Sequence, residues 1–118
     1  MDKETRKIID EWMKRFNKET KMKSDKQNRI TVGKDMLECS GIEFNDSPIE
    51  VYIIKGEKKY FYITTSPKTK YEVLGKATMD EKTRVMIPSK VREVYPIEGK
   101  EIIVTALYNF QKIKVYVE

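Results

Sequence analysis

Residues 25–42 (DKQNRITVGKDMLECSGI) and residues 80–97 (DEKTRVMIPSKVREVYPI) carry one pattern twice, without gaps, at an offset of 55. Asp25 lies over Asp80, Arg29 over Arg84, Glu38 over Glu93 and Ile42 over Ile97. Apolar Ile30, Val32 and Met36 lie over Val85, Ile87 and Val91. Each copy is followed by two runs of alternating apolar residues. This constrains the fold more than any single motif, because two half-size units that cannot each bury a core must pack on each other. The expected product is one mainly β (α+β) domain over residues 25–118, a pseudo-twofold barrel made of repeats 25–65 and 80–118.

Within each unit the reading is a short strand, a short helix and a hairpin. Arg29–Val32 and Arg84–Ile87 are the short strands, and Lys34–Ser40 and Ser89–Val94 the short helices. Gly41 suits the C-cap of the first helix and Ser89 the N-cap of the second. The hairpins are Ile49–Ile54 with Tyr60–Thr65, and Glu101–Leu107 with Lys112–Val117. Tyr71–Met79 reads as a further strand, with Gly75 at a bulge. Residues 1–24 stand apart. Ile8, Trp12 and Phe16 recur every four residues on a charged background, which predicts an amphipathic helix capped by Asp2. Docking of that helix on the barrel is favoured over a role in assembly, for which Ile8, Trp12 and Phe16 are the candidate interface residues. Residues 17–28 are polar and aperiodic and read as linker and turn.

Composition narrows the chemistry. The chain has one cysteine, Cys39, and no histidine. A disulfide framework, a cysteine-cluster metal site and the usual catalytic triads are therefore excluded, and no cofactor is expected. Asp80 and Glu81 share a turn with Lys82 and Arg84, where they are expected to be ionised and paired rather than poised as acid and base. The reading is that of a non-enzyme. No run is apolar enough for a membrane span, and the charged start MDKETRK reads as cytosolic. A net charge of +5 favours anionic partners such as nucleic acid.

The run Arg84-Val85-Met86-Ile87-Pro88-Ser89-Lys90-Val91-Arg92-Glu93 resembles the core motif of the AbrB-like swapped-hairpin family. The Asp80-x-x-x-Arg84 spacing, repeated as Asp25-x-x-x-Arg29, is most similar to the tandem-repeat MraZ type. The resemblance spans residues 25–118 and implies a swapped-hairpin barrel and a DNA-binding transcription regulator, often oligomeric. It also includes antitoxins with a C-terminal arm; this chain ends on strand residues, and that role is not expected. Where the family has Gly before the Arg, this chain has Asn28 and Thr83. Asn tolerates left-handed backbone and Thr does so poorly, so the second loop is expected to differ in shape. Gly33 replaces the family's Pro and loosens the start of the first short helix.

The basic residues gather around the two loops, with Lys26 and Arg29 at the first and Lys82, Arg84, Lys90 and Arg92 at the second. These six are the candidate nucleic-acid-binding residues, with Arg29 and Arg84 foremost because a guanidinium reads phosphate and guanine in a bidentate manner. The bland alternative is an Asp–Arg contact that only locks each loop. Tyr52, Tyr60, Tyr62, Tyr108 and Tyr116 among lysines suggest stacking of single-stranded bases, but cross-strand packing with the hydroxyls at the rim is the commoner use. The leading reading is a regulator that binds double-stranded DNA. The alternative is a protein–protein module, or a small mobile-element inhibitor, on a scaffold that no longer binds DNA. A homo-oligomer or another protein is then the partner.

Overall fold

The chain folds into a nearly closed antiparallel barrel of eight strands with three short helices, here described from a computed structural model. The description covers residues 2–118; the side chains of Asp10, Trp12, Met13 and Lys14 lie outside it. In chain order come α1 (Lys3–Lys14), β1 (Lys18–Met22), β2 (Arg29–Thr31), α2 (Lys34–Ser40), β3 (Ile49–Lys55) and β4 (Tyr60–Thr64). Then follow β5 (Val73–Met79), β6 (Arg84–Met86), α3 (Ser89–Val94), β7 (Ile102–Leu107) and β8 (Lys112–Val117). Around the barrel the order is β1-β7-β8-β4-β3-β5-β6-β2, and the seam between β1 and β2 stays open.

Alternation builds the core. Along β7 and β8 every second residue is buried, and Ile102, Val104 and Ala106 face Ile113, Val115 and Val117. Phe61 and Ile63 of β4, and Val51 and Ile53 of β3, complete that wall. The six residues of the matched pattern, Ile30, Val32, Met36, Val85, Ile87 and Val91, are all buried. Cys39 is buried as well, its Sγ 3.2 Å from the Phe16 carbonyl oxygen, in keeping with a small core residue. In β5 the pairing skips Leu74, since Ile53 faces Gly75 and Ile54 faces Val73. The bulge therefore falls beside Gly75, as expected.

The helix ends follow their residues. Asp2 accepts a hydrogen bond from the Thr5 N–H at 2.8 Å and caps α1. Gly41 closes α2 in the left-handed region at φ 82°, its N–H donating to the Glu38 carbonyl. Ser89 is instead the first residue of α3, and Pro88 occupies the capping position.

Two expectations are corrected. Residues 18–22 are not linker but strand β1, paired with β7 from Lys18↔Ala106 to Met22↔Ile102. Only Met22 of that segment is apolar; the backbone edge of β7, with Val104 and Ala106 beneath it, recruits a polar partner strand. The expected docking of the apolar stripe is also not seen at Ile8. Ile8 is 67% exposed and Phe16 44% exposed, although the Phe16 ring lies 5.1 Å from that of Tyr108. Trp12, the third residue of the stripe, has its side chain outside the described residues. What ties down the end of the segment is Asn17, whose Oδ1 accepts the Tyr108 N–H at 2.8 Å. No helix among the described residues is long and apolar enough to cross a membrane.

Candidate nucleic-acid interface

The short strands β2 and β6 lie side by side, with Arg29↔Met86, Ile30↔Val85 and Thr31↔Arg84 in register. Because side chains alternate, the buried Ile30 and Val85 put Arg29, Thr31, Arg84 and Met86 on the outer face of this ribbon. Arg29 and Arg84 are diagonal neighbours there, within reach of one ligand for side chains of this length. Met86, 54% exposed, is part of the same face.

Each arginine is held by the loop that precedes it. Asp25 Oδ1 accepts the N–H of Gln27 at 2.8 Å and of Arg29 at 2.9 Å, and Oδ2 accepts the Arg29 Nε–H at 2.7 Å. Asp80 does the same for Lys82 at 2.9 Å, Arg84 at 2.9 Å and the Arg84 Nε–H at 2.7 Å. The backbone N–H of the arginine, more than its guanidinium, holds each aspartate below the usual carboxylate range. Asp25 and Asp80 are therefore ionised at neutral pH, and each spends both oxygens on fixing its loop. The loop lock that the sequence permits is present at both sites. Since the contact uses Nε, the two Nη groups make no hydrogen bond to the described residues and are available to an external acceptor.

The second loop does not differ in shape from the first, contrary to expectation. Thr83 has φ 61° and Asn28 φ 58°. The Asn28 N–H donates to Asp25 O and the Thr83 N–H to Asp80 O, while Val32 N–H donates to Thr83 O and Ile87 N–H to Asn28 O. A left-handed Thr is tolerated because its hydroxyl is used twice. It donates to the Lys82 carbonyl at 2.6 Å and accepts the Gly33 N–H at 2.9 Å.

The remaining candidates are placed unevenly. Lys26 and Lys82 are exposed, one in each loop. Lys90 is exposed on α3, whereas Arg92 is tied down, its Nε–H donating to the Ile87 carbonyl at 3.0 Å. By sequence these two α3 residues belong with the second loop. The antiparallel ribbon instead carries the start of α3 beside the first loop, where Ile87 meets Asn28. Lys34, near the other end of the ribbon, is paired with Asp46. The aspartate beside each arginine offsets most of its charge at long range. What the site offers is thus two ordered guanidinium forks on one ribbon, flanked by the exposed Lys26, Lys82 and Lys90, rather than a broad basic surface. Scans against family models, curated proteins and solved structures each find no match to the chain.

Proposed function

We propose that the chain is a DNA-binding transcriptional regulator that contacts duplex DNA through the β2–β6 ribbon. The observation that carries this reading is the arginine pair, Arg29 and Arg84, on one exposed face and held by two matching aspartate loops. On this reading the barrel is an AbrB-like swapped-hairpin fold made of two tandem units. The strand pairs support it. Exchanging β1 with β5, β2 with β6, β3 with β7 and β4 with β8 returns the same neighbour order once the β1–β2 seam is counted. Two interlocked units require such an order.

The test is duplex binding by fluorescence anisotropy across a salt series. Wild type is expected to bind at low salt. Losing one phosphate contact lowers the slope of log K against log salt by about 0.9; losing a base contact costs about 1–3 kcal/mol and relaxes specificity at one position. Arg84→Ala is expected to weaken binding more than Arg29→Ala, because its surroundings keep the family's Ile-Pro pattern. Thermal melts of both variants separate lost affinity from a lost loop lock. Absence of duplex binding by wild type at low salt rules the reading out.

One observation favours the second reading, a protein-interaction or assembly module. Ile8 of α1 stands exposed on the apolar stripe. Ile8→Asp should then abolish any concentration-dependent mass in light scattering while leaving the barrel's melting temperature unchanged.

A further inference from the structure

On the far side of the barrel from the arginine ribbon lies a face of a different kind. In the strand order, β8 and β4 are separated from β2 and β6 by β3 and β5 on one side and by β7 and β1 on the other. Tyr60 faces Tyr116 and Tyr62 faces Lys114 across the β4–β8 pair, outside the core. Ile54, opposite Tyr62 and outside the core cluster, is only 2% exposed. The layer is thus seated on apolar surface rather than dangling in solvent. Tyr60 closes against the backbone of the β3–β4 turn, where Gly56 leaves no room for a Cβ, which would fall 2.5 Å from the ring.

Lysines lie over these rings. Lys114 Nζ is 4.1 Å from the centre of Tyr60, and Lys112 Nζ is 4.4 Å from Tyr71 and 5.1 Å from Tyr62. Lys76 Nζ is 5.5 Å from Tyr52. Among the described residues none of these three lysines has a carboxylate within ion-pair distance, and the acids beside Tyr71 and Tyr52, Glu72 and Glu50, are otherwise engaged. Glu72 pairs with Lys55 at 3.6 Å, and Glu50 accepts the Tyr52 hydroxyl at 2.7 Å. The face therefore combines lysines that are in no ion pair with the described residues with an array of aromatic rings.

We propose that this face binds single-stranded nucleic acid. Lys112 and Lys114 take phosphates, and Tyr60, Tyr71 and Tyr116 present ring faces to the bases. An ammonium resting on a ring is held more weakly than a base stacked on it. An incoming phosphate draws the lysine off the ring and frees that surface for the base. A duplex lacks unstacked bases to offer, so charge complementarity and ring surface together select the single strand. The inference does not depend on duplex binding at the arginine ribbon.

The test is anisotropy of a labelled twenty-residue oligothymidylate over a salt series, with an abasic oligonucleotide of equal length beside it. Wild type should bind the thymidine strand at low salt and the abasic strand about tenfold or more weakly. Lys112→Met with Lys114→Met keeps the apolar stems and should lower the salt slope by about 1.4, or about 0.7 per phosphate. Tyr60→Leu should lose affinity for the thymidine strand and Tyr60→Phe should keep it. Arg29→Ala should leave single-strand binding unchanged, which separates this face from the ribbon. Equal binding of the abasic strand, or a lysine pair variant that is correctly folded and binds as wild type, overturns the proposal. So does a wild type that does not bind at low salt.

Discussion

Thr83 is the only β-branched residue in the left-handed region among the described residues, and it is 3% exposed. Its hydroxyl bridges the β6 loop to the start of α2 by accepting the Gly33 N–H. Thr83→Val keeps the shape and the strained φ but removes the acceptor. A buried donor left without a partner costs about 1–3 kcal/mol, and Gly33 is only half-buried, so water recovers part of the loss. The lower half of that range applies, about 1–2 kcal/mol. With an unfolding entropy of about 2.1 cal/mol/K per residue, a chain of this length loses about 4 °C of melting temperature per kcal/mol. The valine variant should therefore melt about 4–8 °C below wild type. Thr83→Ser keeps the hydroxyl and gives up one methyl group, worth about 0.8 kcal/mol or about 3 °C. The assay is a thermal melt by circular dichroism, paired with hydrogen exchange at the Gly33 amide. Exchange should accelerate in the valine variant and not in the serine variant. If valine melts as high as serine, with Gly33 still protected, the bridge does not hold this corner and the reasoning is refuted.

Further outcomes follow from the core and the titrating groups. Phe61 is fully buried with its ring 5.1 Å from that of Tyr95, and Phe61→Ala should cost about 3–5 kcal/mol, read as a lowered urea midpoint at unchanged m-value. Asp25 and Asp80 have folded pKa values below their ordinary value, so their contribution is complete above that value and is lost as pH falls through the depressed one. Melts in acid should therefore show stability falling with pH, and Asp80→Asn should flatten that fall; an unchanged profile would show that the loop carboxylate does not couple to folding. Tyr62 is raised to about 12, chiefly by burial, so the fold disfavours its anion and loses stability as pH rises above the ordinary tyrosine value. Tyr62→Phe should flatten that alkaline limb, and an ultraviolet titration should lose the tyrosine that ionises at about 12.

The parts of this fold that were legible in the sequence are those where burial imposes a period. Ile30, Val32 and Met36, and their matches Val85, Ile87 and Val91, were readable as core because an alternating strand leads into a helical turn at both places. Strand β1 was not legible. Its single apolar residue, Met22, gives no alternation, and it is a strand because β7 offers an open edge. The arginine loops were legible from the Asp-x-x-x-Arg spacing, since one carboxylate can close a turn and reach the fourth side chain. The grouping of Lys90 and Arg92 was not, because nearness in sequence hides the antiparallel crossing of β2 and β6 that takes α3 to the other loop. Tyr71 was missed for a similar reason. It lies in the connection before β5, and only the tertiary fold lays Lys112 across its ring.

Gly33 and Thr83 each break the match between the two halves, and taken singly each suggests a scaffold drifting from its ancestral use. In the structure they are the two ends of one hydrogen bond. At φ 94°, open to glycine and closed to proline, Gly33 turns an N–H toward the opposite loop, and Thr83 supplies the oxygen that receives it. At the matching position on the other side, Pro88 has φ −60° and no N–H to satisfy, and Asn28 stands where the threonine would be. A donor is met by an acceptor at one corner; at the other Pro88 offers no N–H, so no hydroxyl is called for at Asn28. The two departures are therefore a single coupled exchange that preserves the loop, with Arg29 and Arg84 still held by their aspartates at 2.7 Å. They do not weigh against the proposal that the ribbon binds duplex DNA. The case for an interaction module rests on α1 alone, and the duplex-binding assay addresses the ribbon without reference to it.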